Sequence, residues 1–182
     1  MTASDLETPS IAEFVHDVPH QQRLARMAGD REGVYRLWFE RNMLAAESSQ
    51  RGTLPAVHGG CFLLYEYAWE FDGRSYAGVA MYGYHIDEKR WECAWADSFH
   101  SGSSIMFSHT SGNADPARFA VLGSYGDGQT PPGPRCGWRT GIEQPSDDSL
   151  LIAMRNISPD GEEVRAVEVG YVRRQKRAVE RR

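Results

Sequence analysis

Between Cys61 and Phe99 the chain reads as three consecutive β-strands, with one side of each paved in aromatic rings. Cys61, Leu63, Tyr65, Tyr67, Trp69 and Phe71 share one parity, while Glu66 and Glu70 take the other. In a strand, successive side chains point to opposite faces, so the two sets separate onto a broad apolar face and a solvated one. The next two runs repeat the pattern, with Tyr76, Tyr82 and Tyr84 in phase, then Trp91, Cys93, Trp95 and Asp97. Such a face suits the wall of a core or of a ligand cavity.

The pattern continues along the chain. Strands are expected at roughly 32–40, 50–57, 60–71, 75–86, 89–99, 103–109, 117–125, 135–144, 149–157 and 162–173. Asp72-Gly73 and Asp160-Gly161 are tight-hairpin signals. Gln129–Pro134 reads as the one long loop inside the meander. Helix signals are confined to the start. Ser10 and Glu13 have capping-box spacing ahead of a short apolar stripe, Pro19 interrupts, and His20–Ala28 continues with Gly29 as a stop. Ten long hairpin-linked strands favour closure, because a barrel leaves no exposed edge, and a sandwich is the second choice. The expected fold is therefore all-β: a ten-stranded antiparallel up-and-down barrel with a short N-terminal helical segment. Residues 1–28 form a leader and helical lid or plug, 29–173 the barrel, and 174–182 a basic tail.

Bulk properties exclude several function classes. The 182 residues carry a formal charge of −5, unevenly spread. From Arg173 onward six cations oppose Glu180, a net of +5, which leaves −10 on the remainder. An acidic body does not offer the clustered cations that a nucleic-acid face needs. The tail is read as a solvated terminus. No run reaches the roughly 18–20 apolar residues of a membrane span, and the N-terminus lacks a signal-peptide pattern, so a cytoplasmic location is expected. Cys61, Cys93 and Cys136 form no C-x-x-C pair and sit in alternating runs, so buried free thiols are expected.

The chain resembles a bacterial family of calycin-like proteins catalogued as domain of unknown function 1579. The residues carrying the likeness are Pro19-His20-Gln21-Gln22-Arg23-Leu24-Ala25-Arg26-Met27-Ala28-Gly29, Arg51-Gly52-Thr53, Gly59-Gly60-Cys61-Phe62-Leu63, Trp95-Ala96-Asp97-Ser98 and Val167-Glu168-Val169-Gly170-Tyr171. The resemblance implies a lipocalin-like or fatty-acid-binding-protein-like barrel and transfers no settled activity. One departure stands out. Such barrels often open with Gly-x-Trp, whose indole closes the bottom against a late arginine. Here the position reads Gly29-Asp30-Arg31, with Trp38 further along the strand as the substitute, and that end is expected to be more polar.

The first functional reading is a small-molecule-binding barrel that holds an apolar or aromatic ligand. Tyr65, Tyr67, Trp69, Tyr82, Tyr84, Trp91 and Trp95 would line the cavity, and Asp97 would be its polar anchor. Asp97 lies in phase with the inward aromatics, where desolvation is expected to raise its pKa toward that of a general base. The alternative is a barrel enzyme, a cyclase, isomerase or hydrolase, that uses Asp97 and Glu168 as acid–base pair; the inward parity of Glu168 is ambiguous. A protein-interaction module is the third reading, and outward Phe62 and Trp38 allow a homodimer face. No cofactor or metal is assigned. His16 and His20 are separated by Pro19, while His58, His85, His100 and His109 are scattered, although His100 and His109 flank a hairpin and can approach one another. Nitrobindins, haem-binding barrels of this general shape, use a histidine from a late strand. No histidine follows His109, which leaves only Tyr171 or a cysteine as an axial ligand. Arg135 and Arg139 alternate on one face and are read as surface residues. Neither a P-loop, nor a dinucleotide fingerprint, nor a Gly-x-Ser-x-Gly elbow is present.

Overall fold

The computed structural model describes residues 18–110, 118–126 and 133–174. Helix α1 (Pro19–Met27) leads directly into β1 (Gly29–Glu40) and β2 (Met43–Leu54). A two-residue β3 (Ala56–Val57) and a single 3-10 turn at His58–Gly60 precede β4 (Phe62–Phe71), β5 (Arg74–His85), β6 (Arg90–Asp97) and β7 (Met106–His109). The chain continues through β8 (Phe119–Tyr125), β9 (Cys136–Glu143), β10 (Ser149–Ile157) and β11 (Glu163–Arg173). Every pairing is antiparallel. From β4 to β11 each strand pairs with the next. β11 then pairs with β1, β1 with β2, and β2 with β4, so ten strands close into an up-and-down barrel with β3 as a short flap on β4.

The turn chemistry explains the hairpins. Asp72 and Gly73 both have positive φ, at 50° and 69°, which is the two-residue turn whose twist matches that of its strands. Pro19 starts α1 at a position whose N–H would have had no partner in any case. The differences from expectation are local. β2 begins seven residues earlier than expected, because its polar half, Met43–Ser49, pairs along β1 and so needs no apolar alternation of its own. Cys61 falls outside β4, beside the 3-10 turn, and only Cys93 is fully buried; Cys61 and Cys136 are half-buried free thiols. The Ser10–Glu13 capping box, most of the Gln129–Pro134 loop and all but Arg174 of the basic tail lie outside the described residues. Among the described residues no helix is long and apolar enough to cross a membrane.

Helix α1 packs against one end of the barrel. Leu24 and Met27 are wholly buried, and His20 stacks on Tyr84 with ring centroids 4.5 Å apart. The residue standing where a Trp would close such a barrel is Arg31, and it too is fully buried. Its guanidinium donates to the carbonyls of Met27 (3.1 Å), Arg26 (3.4 Å) and Asp148 (2.9 Å). Arg173 adds bonds to Ala28 and Arg26. Two cations thus satisfy the bare carbonyls of the last helical turn, at the negative end of its dipole. Trp38 does not substitute. It lies near the opposite end of β1, buried, with the Arg165 guanidinium 4.9 Å above its ring. Phe62 is half-buried against Gly83, so neither residue presents the exposed face expected of a dimer surface. Among the described residues the exposed aromatics are Phe39, Phe107 and Tyr125.

Candidate functional site

The inward parity holds. Leu63, Tyr65, Tyr67, Trp69, Tyr82, Trp91, Cys93, Trp95 and Asp97 are all buried, while Glu66 and Glu70 face solvent. Among the described residues, however, the space that these aromatics border beside Asp97 is small. The space between Tyr35, Gln50, Tyr65, Tyr67, Trp95, Asp97, His100, Met154, Val167 and Val169 amounts to about 10 Å³, enough for one water. Ten strands enclose a wide lumen, and large rings fill it. Tyr35 stacks on Trp69 at 4.0 Å, Tyr65 on Tyr67 at 4.7 Å, and Trp95 on Trp138 at 5.6 Å.

The residues assigned to ligand binding share a wall without forming one pocket. Tyr84 packs at the helix end against His20, and Trp91 and Tyr82 pack there against Phe119. Tyr65 sits midway, its hydroxyl 2.7 Å from that of Tyr171. Tyr67, Trp69, Trp95 and Asp97 gather at the other end, where the loop after β6 begins.

At that end Asp97 is the hub. Its Oδ2 accepts a 2.6 Å bond from Tyr67 OH, which in turn accepts one from Trp95 Nε1 at 2.8 Å. Its Oδ1 accepts from the backbone N–H of Phe99 (2.7 Å) and of His100 (2.9 Å), and lies 3.1 Å from His100 Nδ1. Its backbone carbonyl accepts from the N–H groups of Ser101 and Gly102. The carboxylate thus anchors the turn and a side-chain network at once. This corrects the expected pKa. Burial alone would raise it, but hydrogen bonds from His100 and Tyr67, with the charge on His100, hold it below its ordinary 3.8. Asp97 is an ionised acceptor, not a poised base.

Glu168 does not join it. Val167, Val169 and Tyr171 take the inward parity of β11, and Glu168 lies on the outer face, 3.6 Å from Arg36. His100 and His109 do not approach one another: His100 turns in against Asp97, whereas His109 is exposed on β7, opposite Glu92. Tyr171, one of the two kinds of axial ligand left by the sequence, is hydrogen-bonded to Tyr65.

Several site residues escape a reading of the sequence. His100 sits among Phe99 (4.8 Å between ring centroids), Trp138 (5.6 Å), Trp95 (5.7 Å) and Trp69 (6.3 Å). Tyr35 from β1 and Gln50 from β2 reach the same small space from across the barrel. The Tyr35 hydroxyl and Gln50 Oε1 are buried without a hydrogen-bond partner, as are the Trp69 and Trp138 indole N–H groups. Burial pushes the Tyr35 phenol, first by desolvation and then through the Asp97 charge, far above its ordinary 10.0, so it stays a neutral donor. Two glycines make the network possible. Gly78 lies opposite both Tyr67 and Asp97 in the sheet, and a Cβ there would come within 2.2 Å of Tyr67 OH. Gly52 opens the same kind of room under the Tyr65–Tyr171 pair. Glycine inside a strand is the one sequence signal that marks such close approaches.

Comparisons with known proteins agree with the architecture. Residues 17–173 match the family model described as Protein of unknown function (DUF1579). The crystal structure of Rv2717c from M. tuberculosis superposes with a TM-score of 0.54 at 15% identity, covering 88% of this chain and 100% of that one. A de novo designed fluorescence-activating β-barrel aligns at 15% identity over 87% of this chain and 100% of its own, with a TM-score of 0.41. No curated protein matches the sequence significantly.

Proposed function

We propose that this chain, which belongs to the DUF1579 family of proteins of unknown function, is a small-molecule-binding barrel whose site lies at the end opposite α1, around Asp97 and His100. The observation that carries the reading is the convergence of unpartnered polar atoms on the small space beside them. Tyr35 and Gln50 line it, and the Trp69 and Trp138 rings, which carry two further unpartnered N–H groups, pack on His100. A buried polar group left unpaired costs about 1–3 kcal/mol, so four in one neighbourhood point to a polar guest. Because the resting space is so small, the ligand is compact and planar, and it enters as the rim rings Phe39, Phe71 and Phe99 shift. Phe39 is already 61% exposed. Tyr67, Trp95 and Asp97 remain contacts in this reading, and Trp69 flanks it. Tyr82, Tyr84 and Trp91 support the wall from the helix end.

The test is a thermal-shift screen over lipids, single-ring and fused aromatics, and haem. A ligand at about 100 times its Kd stabilises by roughly 2.7 kcal/mol, or about 5–10 °C for a chain of this size. A flat response across the whole panel would sink the reading.

A barrel enzyme is the second reading. The observation favouring it is the Asp97–His100 hydrogen bond in an aromatic surround, which replaces the Asp97–Glu168 pair as the acid–base arrangement. It expects Asp97→Asn to abolish turnover while ligand binding survives; normal turnover in that variant would dismiss it.

A further inference from the structure

The His100 ring is held from one side only. Asp97 is ionised and can only accept, so the 3.1 Å contact between Asp97 Oδ1 and His100 Nδ1 places the proton on Nδ1. In the neutral ring, Nε2 then carries a lone pair. No described hydrogen bond reaches that atom. The side chain is 18% exposed, and it also lines the small interior space together with Tyr35. The other rings packed on it, Trp69, Trp95, Phe99 and Trp138, carry no charge. The titratable groups facing this neighbourhood are Asp97 from β6, Tyr67 from β4 acting through Asp97, and Tyr35 from β1 across the space. Neither Lys nor Arg is among the described contacts of the ring. A ring of fixed tautomer with an accessible Nε2 therefore packs among flat apolar faces and borders the same space as an unpartnered hydroxyl donor. That combination recognises a flat molecule bearing an acidic hydroxyl.

We propose that His100 is the proton acceptor of the binding site, and that the ligand class is a single-ring phenol or a planar enol whose hydroxyl meets His100 Nε2. In the step this implies, the ligand O–H bond breaks and an Nε2–H bond forms, with the electron pair left on the ligand oxygen. The resulting imidazolium lies between that oxyanion and the Asp97 carboxylate. Tyr35, neutral and without a partner, is the donor available to the oxyanion. Nothing is oxidised or reduced, and returning the proton restores the starting state. In this proton transfer Asp97 and Tyr67 are positioning residues: they border the space and fix the tautomer and orientation of the ring.

The inference rests on the small-molecule reading above, and the experiment separates the two. Para-nitrophenol is the probe, because its neutral and ionised forms have different colours. Protein is added to the dye at a pH just below the dye's own titration point, and binding is followed independently by equilibrium dialysis. The wild-type protein is expected to bind the dye and to produce a saturating phenolate band. In His100→Gln the band is lost and binding falls by about tenfold or more, while Tyr35→Phe keeps the band with affinity weakened several-fold. Para-nitroanisole, which has no hydroxyl, is expected to bind at least tenfold more weakly than the phenol. Dye that binds wild-type protein but stays neutral, or a phenolate band that persists in His100→Gln, overturns the inference and leaves the binding reading intact. Absence of dye binding to wild-type protein overturns it as well, and the broader ligand screen then decides the binding reading alone. Circular dichroism confirms that each variant is folded; if His100→Gln is not, His100→Asn replaces it.

Discussion

Gly78→Ala adds a single methyl group, and local propensity and tertiary packing disagree about its effect. Glycine in a strand interior is less favourable than alanine by roughly 0.5–1 kcal/mol, so propensity alone favours the substitution. The structure argues the other way. The new Cβ would lie 2.2 Å from Tyr67 OH, 2.3 Å from Cζ and 2.7 Å from Cε1. The obstacle is the rigid, buried end of a ring stacked on Tyr65, so the clash is relieved only by moving the phenol off Asp97. Overpacking of this kind costs about 1–3 kcal/mol. Losing a buried hydrogen bond to a charged group costs about 1.5–3 kcal/mol more. After the propensity gain is subtracted, a net loss of about 2–5 kcal/mol remains, which in urea moves the midpoint down by roughly 1 M or more. Equilibrium urea unfolding followed by tryptophan fluorescence measures it. The same substitution in a Tyr67→Ala background meets no ring and is expected to be neutral or slightly stabilising, a coupling that a double-mutant cycle reads directly. If Gly78→Ala leaves the midpoint unchanged or raises it, the packing argument for the Tyr67–Asp97 network is refuted. A penalty that survives in the Tyr67→Ala background assigns the clash elsewhere.

Two further expectations concern charge. The Asp97 carboxyl is held below its ordinary 3.8 in the fold, so its stabilisation is fully present above the unfolded value and is lost as pH falls through the folded one. The stability gap between wild type and Asp97→Asn is therefore expected to be constant above about pH 5 and to close below about pH 4, measured by urea melts across pH; a gap that widens in acid contradicts the assignment. At the other end of the barrel, Arg31→Met leaves the Met27 and Asp148 carbonyls without their cation. It is expected to cost about 2–4 kcal/mol and to speed amide exchange in α1 selectively, and unchanged protection of α1 would refute the plug.

The wall is legible because its signal is local. Parity alone puts Tyr65, Tyr67, Trp69, Trp91, Trp95 and Asp97 inside, since a period of two leaves no freedom once one residue is placed. Turn pairs such as Asp72-Gly73 mark the hairpins for the same reason. Legibility fails where a residue's role depends on what stands across the barrel. Parity makes Asp97 a base with a raised pKa because desolvation can be inferred from it, whereas the donors that reverse the shift are the His100 side chain, Tyr67, thirty residues earlier, and the backbone of the turn. On the sequence His100 is one of several scattered histidines. Its neighbourhood along the chain holds only Phe99 and Trp95 of the four rings around it, since Trp69 and Trp138 come from strands far away in sequence. Glu168 is ambiguous because β11 is apolar on both parities, and only pairing with β1 decides which side faces in.

What the sequence by itself determined is the architecture: ten alternating strands, hairpin-connected, closing because an open sheet of that length would leave two bare edges. What only the tertiary structure decided is how the interior is occupied. Strand number sets the lumen, but whether it becomes a cavity or a packed core depends on how rings from different strands stack and on where a glycine lets one phenol slide past another. Among the described residues, that packing turned the expected aromatic pocket beside Asp97 into a space of about 10 Å³. It also moved the chemistry from a lone buried carboxylate to a histidine that the carboxylate holds in place, because buried charge is stabilised only by partners that closure brings within hydrogen-bond distance.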